Sequence, residues 1–310
     1  MARVSGSDSI NRRKRESPMT MNVLVTGATG TQGGSVVSQL LSGTYGACDV
    51  YGLTRTATGH AARTLESRGV TVLEGDLTDA ERMRECCTDM DAVFGVTTFF
   101  EAGTDAETEQ GITLAEAADD AGVERFVFSS VGRADEAPLA HFASKAQIEK
   151  RVKELGFEHT ILRPVFFMQN FATYHGEELD EGTLSMPMAP DTPLALLDAM
   201  DIGKAVGMAL QDGDRFGGKT IELAGDNRTP VEIATALSTE LGHEITHVRP
   251  DLDDYRAMAG DEMAEMYDWF DTVGYGSNPT ADAEAYGLNP NDFASFLSKG
   301  EPFQSVQPGV

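Results

Sequence analysis

Cysteine is nearly absent: Cys48, Cys86 and Cys87 are the only three in 310 residues. Two of them are adjacent, so they make neither a disulfide framework nor a metal-ligand spacing, and a reducing compartment, the cytoplasm, is the expected setting. No apolar run approaches the roughly 20 residues that cross a bilayer. No apolar h-region follows the N-terminus either, so neither a membrane nor secretion is expected. Positive charge is scarce. Lys and Arg together number 24 against 50 Asp and Glu, leaving a net charge of −26, and only 7 of the basic residues are Lys. Such a chain lacks the basic face that direct nucleic-acid binding requires. An acidic, Lys-poor surface suits molar salt, where the Debye length falls to about 3 Å and self-repulsion is screened. A halophilic protein is therefore expected, with an ordinary acidic protein as the alternative. The six His are scattered and no nucleophile elbow follows a strand, so no metal site or hydrolytic centre is expected.

What is present begins at Asn22. The stretch to Gly34 reads as an apolar strand (Val23, Leu24, Val25), a glycine turn, and the start of a helix near Gln32. Gly27, Gly30 and Gly33 are spaced three apart. The turn lets backbone N–H groups face an anion, and the helix adds its positive end, an arrangement suited to a dinucleotide phosphate. Gly27 and Gly30 permit close approach of the phosphate, and Gly33 permits tight packing of helix on strand. The spacing alone also fits a plain strand-to-helix turn. The apolar strand before it and the apolar helix residues Val36, Val37, Leu40 and Leu41 after it give the motif its context.

Strand and helix patterns then alternate. Strands are predicted over 49–54, 70–74, 92–96, 126–128 and 160–162, and helices over 61–68, 80–88, 107–121 and 144–155. Repeated β-α units imply an α/β fold with a doubly wound parallel sheet, whose ligands bind outside the carboxyl ends of the strands. After Pro164 the rhythm breaks. Helices are predicted over 201–210, 230–241 (N-cap Thr229, stop Gly242) and 261–270, and a strand over 219–223. The stripe Met263, Met266, Tyr267 and Phe270 reads as core rather than ligand surface. Glu107, Glu109, Asp119 and Asp120 read as a solvated helix face. Residues 1–21, with four basic residues at 12–15, read as a disordered tail, with a basic interaction arm as the alternative. The expected organisation is a nucleotide-binding domain over 22–165, to which 200–223 returns, and a smaller α/β lobe over 166–199 and 224–310 for substrate or partner.

No carboxylate ends the second strand, where an NAD site usually holds one. Arg55 stands there, 22 residues after Gly33, and a guanidinium can pair with a 2′-phosphate. Thr56 and Thr58 add hydroxyls. NADP(H) is therefore expected over NAD(H), against the alternative of a solvated Arg. Asp76 and Leu77 fall where an adenine edge would lie, although Asp76 also suits a helix cap.

Taken in order, Gly27-Ala28-Thr29-Gly30-Thr31-Gln32-Gly33-Gly34, Gly75-Asp76-Leu77, Phe126-Val127-Phe128-Ser129-Ser130-Val131, His141-Phe142-Ala143-Ser144-Lys145 and Ile161-Leu162-Arg163-Pro164 resemble NmrA-like proteins. These are atypical short-chain dehydrogenase/reductases with a Rossmann sheet. The match continues through Phe166, Phe167, Asn170 and Tyr267 to Tyr275. The resemblance implies that Gly27 to Gln32 hold the pyrophosphate and that Arg55 to Gly59 surround the 2′-phosphate. It places Asp76 and Leu77 at the adenine, and Thr97, Thr98 and Phe99 near the nicotinamide ribose. Lys145 would hydrogen-bond that ribose, and Phe167 to Asn170 would flank the nicotinamide, with Arg163 and Pro164 beside the site. Any partners would be proteins, and a homodimer is possible in such a family.

Catalytic members of the wider superfamily carry Tyr four residues before this Lys. Here that position is His141, and none of the seven Lys has a Tyr at that spacing. His141 has three readings: a structural cap near the 144–155 helix, part of a site that only senses cofactor, or a substitute proton donor. Ser129 and Ser130 stand where the superfamily places a carbonyl-polarising hydroxyl, with capping as the alternative. Tyr174 lies beyond the sixth strand with no placement from sequence. The missing Tyr favours a redox-responsive regulator. The second reading is an NADPH-dependent reductase of quinones or related small electrophiles. From the charge balance alone, unfolding followed from low to molar KCl should show stability rising with salt, and equal stability at both ends would contradict adaptation to salt.

Overall fold

The computed structural model describes residues 20–276 and 278–299. The basic segment 12–15, with nearly all of the expected tail, lies outside the described residues. Met21, expected in that tail, is the first residue of β1 and pairs with Cys48.

Six strands follow the predicted alternation: β1 (Met21–Val25), β2 (Cys48–Thr54), β3 (Thr71–Glu74), β4 (Ala92–Val96), β5 (Arg125–Ser129) and β6 (Glu158–Pro164). The strand Lys219–Leu223 joins them in a seven-stranded sheet of order (219–223)-β6-β5-β4-β1-β2-β3. Every pairing in it is parallel. A sheet covered on both faces needs strands apolar on both sides, and Val23, Leu24 and Val25 are all fully buried. The helices are α1 (Thr31–Leu41), α2 (His60–Ser67), α3 (Ala80–Cys87), α4 (Gly103–Asp120) and α5 (Ala140–Glu154). Val36, Val37 and Leu40 of α1 and Leu65 of α2 share one core with Ile202 and Val206 of the helix Met200–Gln211. Met83 of α3, Leu114 of α4 and Ile148 of α5 pack with Phe126 and Phe128 in the other. The architecture is thus the doubly wound, Rossmann-type α/β sheet that the alternation predicts. The order reverses at β1, which lies between β2 and β4. Thr26 stitches that point: its hydroxyl accepts from the Val96 N–H at 2.8 Å.

Beyond β6 the chain builds a smaller set of elements. Phe166–Phe167, Leu194–Leu197 and Asp226–Arg228 form a three-stranded sheet, and Thr183–Ser185 pairs with Thr246–Val248. The helix Pro230–Leu241 has the start and stop its sequence predicts: Thr229 and Glu232 form a capping box, and Gly242 is left-handed at φ 76°. The helices Leu252–Ala259 and Asp261–Thr272 follow. Their residues Tyr267, Trp269 and Phe270 are buried in the larger core.

Beneath the carboxyl ends of β5 and β6 lies a buried ionic cluster. Arg163 reaches both oxygens of Glu149 at 2.8 Å, and Asp135 at 2.9 Å. Ser130 donates to the same Glu149 at 2.6 Å. Burial opposes the charge on Arg163, yet Glu149 and Asp135 outweigh it and hold the guanidinium above its ordinary value. A pair of this kind is costly to break on one side only, because the remaining charge stays buried.

The helix Met200–Gln211 crosses α1 at a glycine contact. A Cβ on Gly203 would sit 2.4 Å from the Ser35 carbonyl oxygen. Gly34, in α1, has nothing nearer than 3.8 Å. Gly203→Ala should therefore destabilise by about 1–3 kcal/mol through backbone displacement. Gly34→Ala should stabilise by about 0.5–1 kcal/mol through helix propensity. Denaturant midpoints of the two variants measure both, and opposite signs are expected.

Candidate functional site

The glycine turn is built by contacts that leave no room for side chains. A Cβ on Gly33 would lie 2.2 Å from the Gly27 carbonyl oxygen, so the first turn of α1 rests directly on the turn before it. Gly27 is left-handed at φ 58°. Gly30 is the N-cap of α1, with no side-chain cap and no acidic residue in the first turn. The first N–H groups of a helix have no intrahelical partner. Those of Thr31, Gln32 and Gly33 are left for an anion, and nothing negative in that turn competes for it. This donor set, with glycine where a phosphate must come close, fits a dinucleotide pyrophosphate.

One cavity of about 1020 Å³ starts at this turn and runs over the carboxyl ends of the strands. It is lined by Gly27, Thr29, Gly30, Thr31, Gln32 and Gly33, by Arg55 and Thr56 after β2, and by Asp76 and Leu77 after β3. Thr97, Thr98 and Phe99 after β4, His141 and Lys145 of α5, and Phe167 and Asn170 also stand on its wall. Thr58, Gly59 and Met168, expected with them, are not part of this lining, and neither is Ala28. It is 1% exposed and turned under the sheet, its Cβ facing Gly52, so only its backbone belongs to the turn. Arg163 also departs from expectation: it serves the ionic cluster, while Pro164 lines the cavity. Asp76 is not the helix cap that its sequence position also suits, because Asp79 caps α3 by accepting from the Arg82 N–H; Asp76 lines the cavity. Its carboxylate accepts from the Thr78 N–H at 2.9 Å and hydroxyl at 2.8 Å, bonds that hold it below the usual carboxylate range.

Lys145 is the most constrained of these groups. Its ammonium donates to the Thr97 carbonyl at 2.8 Å and hydroxyl at 3.0 Å, and lies 3.1 Å from Glu107. Burial pushes it below its ordinary value, against the pull of Glu107. Glu107 itself overturns the solvated-face reading of α4. It is 1% exposed and also accepts from the Ser144 hydroxyl at 2.5 Å. The helix α4 starts at Gly103, four residues before its apolar periodicity becomes legible, and Glu107 faces Ser144 and Lys145 of α5 while Glu109 and Asp120 stay exposed. The hydroxyls at the end of β5 are likewise committed. Ser129 donates to the Gln32 side-chain oxygen at 2.6 Å, and Ser130 to Glu149.

His141 does not cap a following helix; α5 begins at Ala140, so His141 lies in its first turn. It shares a helix face with Lys145, one turn away. Its Nδ1 bonds Glu262, and its backbone N–H donates to the same carboxylate oxygen at 3.0 Å. Burial pulls the Glu262 carboxyl up, but the bonds from His141 prevail and leave it below the usual range. The imidazole stacks on Phe99 with centroids 4.8 Å apart. With Nδ1 tied to Glu262, Nε2 is the nitrogen available to the cavity.

The C-terminal helices give the cavity a largely apolar wall, although Glu178, close enough to act on Tyr255 and Tyr267, and His175 also line it. Tyr255, Met258, Met263, Met266, Tyr267 and Phe270 line it from the C-terminal helices, opposite Phe100 and Phe166. The methionine stripe is therefore core and cavity wall at once: Phe270 is buried while Met263 and Met266 are only partly covered. Tyr174, Phe100 and Met258 stand at the rim, each about 70% exposed.

Two sequence signals were missed. Glu262 lies 121 residues from its His partner, and no local pattern announces it. The chain also spells a zinc-protease spacing, His243-Glu244-Ile245-Thr246-His247, which scattered histidines would not contain. That spacing binds metal when a helix puts both imidazoles on one face. Here Gly242 ends the helix and Thr246–Val248 is a strand. His243 Nε2 bonds the Leu179 carbonyl at 2.7 Å and His247 Nε2 the Met186 carbonyl at 3.0 Å. The spacing carries no metal chemistry in this fold.

Known proteins share this architecture. The NAD(P)H azoreductase of Xenophilus azovorans is 29% identical over 290 residues, which cover 92% of this chain and 93% of that protein. Two solved structures superpose over nearly all of both chains. One is the NADPH-dependent quinone oxidoreductase of Escherichia coli complexed with NADPH (TM-score 0.77, 22% identity, 90% and 99% covered). The other is NmrA, a negative transcriptional regulator, in complex with NADP (TM-score 0.78, 22% identity, 94% and 98% covered). At that identity these two speak for the fold alone. The NmrA-like family pattern itself matches residues 19–297, so with its glycine turn and the cleft above its parallel sheet, this chain belongs to the NmrA-like family.

Proposed function

We propose that the protein binds NADP(H) in this cleft and reduces small, flat, conjugated electrophiles of quinone or azo type. The continuity of the cavity carries this reading. A single space of about 1020 Å³ connects the glycine turn and Arg55 to His141, and continues to the methionine and aromatic side chains of the C-terminal helices. The full-length similarity to an azoreductase supports the same substrate class.

When bound, the reduced dinucleotide supplies a hydride. The amides of Thr31 to Gly33 would hold its pyrophosphate, and Arg55 with Thr56 would take the 2′-phosphate. The apolar wall of the cavity aligns a flat substrate by contact with methionine, which adapts to varied shapes. His141 Nε2 delivers a proton to the substrate atom that receives the electron pair, and Glu262, bonded to Nδ1 and to the backbone N–H, fixes the ring. Lys145, with its donors given to Thr97 and Glu107, acts by holding the β4 loop that carries Phe99.

A second reading, a redox-responsive regulator, is favoured by one observation. Ser129 and Ser130, which stand where the wider superfamily polarises a carbonyl, and Lys145, expected at the ribose, are all bonded within the protein.

Turnover separates the two. With a panel of quinones and azo dyes, loss of reduced-nicotinamide absorbance is expected for the wild type. His141→Ala should lower kcat about a hundredfold, and Glu262→Gln, which loosens the imidazole, should lower kcat with KM little changed. No turnover across the panel, with unequal affinities for NADPH and NADP⁺, would favour the regulator. Cofactor choice has its own check. Arg55→Ala should weaken NADP(H) binding about ten- to a hundredfold, the worth of charge-assisted hydrogen bonds, and leave NAD(H) binding nearly unchanged; equal losses would refute the role of Arg55.

A further inference from the structure

We propose that Arg55 and Glu101 form a latch across the adenine end of the cleft, opened by a 2′-phosphate. Glu101 then becomes a determinant of dinucleotide choice. The inference rests on the reading of Arg55 as the 2′-phosphate site.

Arg55 follows β2 and Glu101 lies between β4 and α4, 46 residues apart in sequence. Their pair is bidentate: Nη1 donates to Oε2 at 2.5 Å and Nη2 to Oε1 at 2.9 Å. Both residues line the cavity. The fork that would grip a phosphate is therefore given to a carboxylate of this chain. A phosphate entering the same fork must displace Glu101, since two anions there repel each other. Both side chains are more than half exposed, so the pair is weak enough for a doubly charged phosphate to break. A dinucleotide without the 2′-phosphate has nothing with which to break it. The remaining carboxylate facing this guanidinium, Asp76, is occupied by Thr78.

Release of Glu101 reaches further along the cleft. Glu101 follows Phe99 and Phe100, whose rings lie 4.2 Å apart, and Phe99 stacks on His141. The Gly103 N–H donates to the Phe99 carbonyl at 2.8 Å, closing 99–103 into one turn. Gly103 has φ 85° and no atom within 4 Å of a Cβ position, which makes it the free pivot into α4. The segment moves as a unit when its only tie to Arg55 among the bonds described is broken. Occupation of the 2′-phosphate site is thereby coupled to the packing of His141.

Calorimetric titration with 2′,5′-ADP and with 5′-AMP, which lacks the 2′-phosphate, tests this on the full chain. Glu101→Gln should strengthen 2′,5′-ADP binding about two- to fivefold and leave 5′-AMP unchanged. The difference from wild type should close in molar KCl. Glu109→Gln, which removes an equally exposed charge from α4 outside the cavity, should change neither. Hydrogen exchange of the 99–103 amides should rise with 2′,5′-ADP and not with 5′-AMP. Unchanged or weakened 2′,5′-ADP binding in Glu101→Gln, or an equal gain for both nucleotides, would overturn the latch. If the wild type binds 2′,5′-ADP no more tightly than 5′-AMP, the Arg55 assignment falls with it. If it does bind more tightly but Glu101→Gln matches the wild type, the latch alone falls.

Discussion

The contact of Gly33 with the Gly27 carbonyl is the constraint on which the site depends. At 2.2 Å from a would-be Cβ, it admits no other residue without moving the backbone. It seats the start of α1 over the carboxyl end of β1, where the strand order reverses and a cleft must open. Thr26 holds β4 to β1 at the same level, so the loop bearing Thr97 to Phe99 starts from a fixed point. Every other wall of the cleft is placed relative to that corner.

Buried charge sets the second tier. Lys145, Glu107, Thr97 and Ser144 form one closed hydrogen-bonded group beneath the cleft. Such groups are expensive to bury unless each partner is satisfied, so they specify one arrangement of α4, α5 and the β4 loop. Glu262 does the same between the C-terminal helices and α5. It bonds both the ring and the backbone of His141, so the helix Asp261–Thr272 orients a residue of α5. The chemistry assigned to the cleft therefore depends on contacts between parts of the chain that are far apart in sequence.

The sheet was legible because its signal is local and repeated. A strand buried on both faces must be apolar throughout, as Val23 to Val25 are, and the helices between strands keep one apolar stripe. The helix Pro230–Leu241 was legible to the residue because Thr229 and Gly242 carry its cap and stop in their own chemistry. The starts of α4 and α5 were not. The 103–106 turn is polar or small and Phe142 alone is large and apolar in 140–143, so neither shows a periodic stripe and the helical placement of His141 stayed hidden, while the burial of Glu107 is set by distant partners in α5. The His-Glu-x-x-His letters show the opposite error, a spacing without the helix that gives it meaning.

The sequence by itself determined the α/β alternation, the family, the glycine turn, Arg55 at the end of β2 and the absence of Tyr before Lys145. Each is a property of residue type at short spacing, where backbone geometry follows from neighbours. Only the tertiary structure decided that Lys145 is held by Glu107 and Thr97, that Glu262 orients His141, that Glu101 occupies Arg55, and that the methionine stripe faces a cavity. Those pairings join residues brought together by the sheet order and by the packing of the small lobe, and a side chain's partner at that range is set by the fold as a whole.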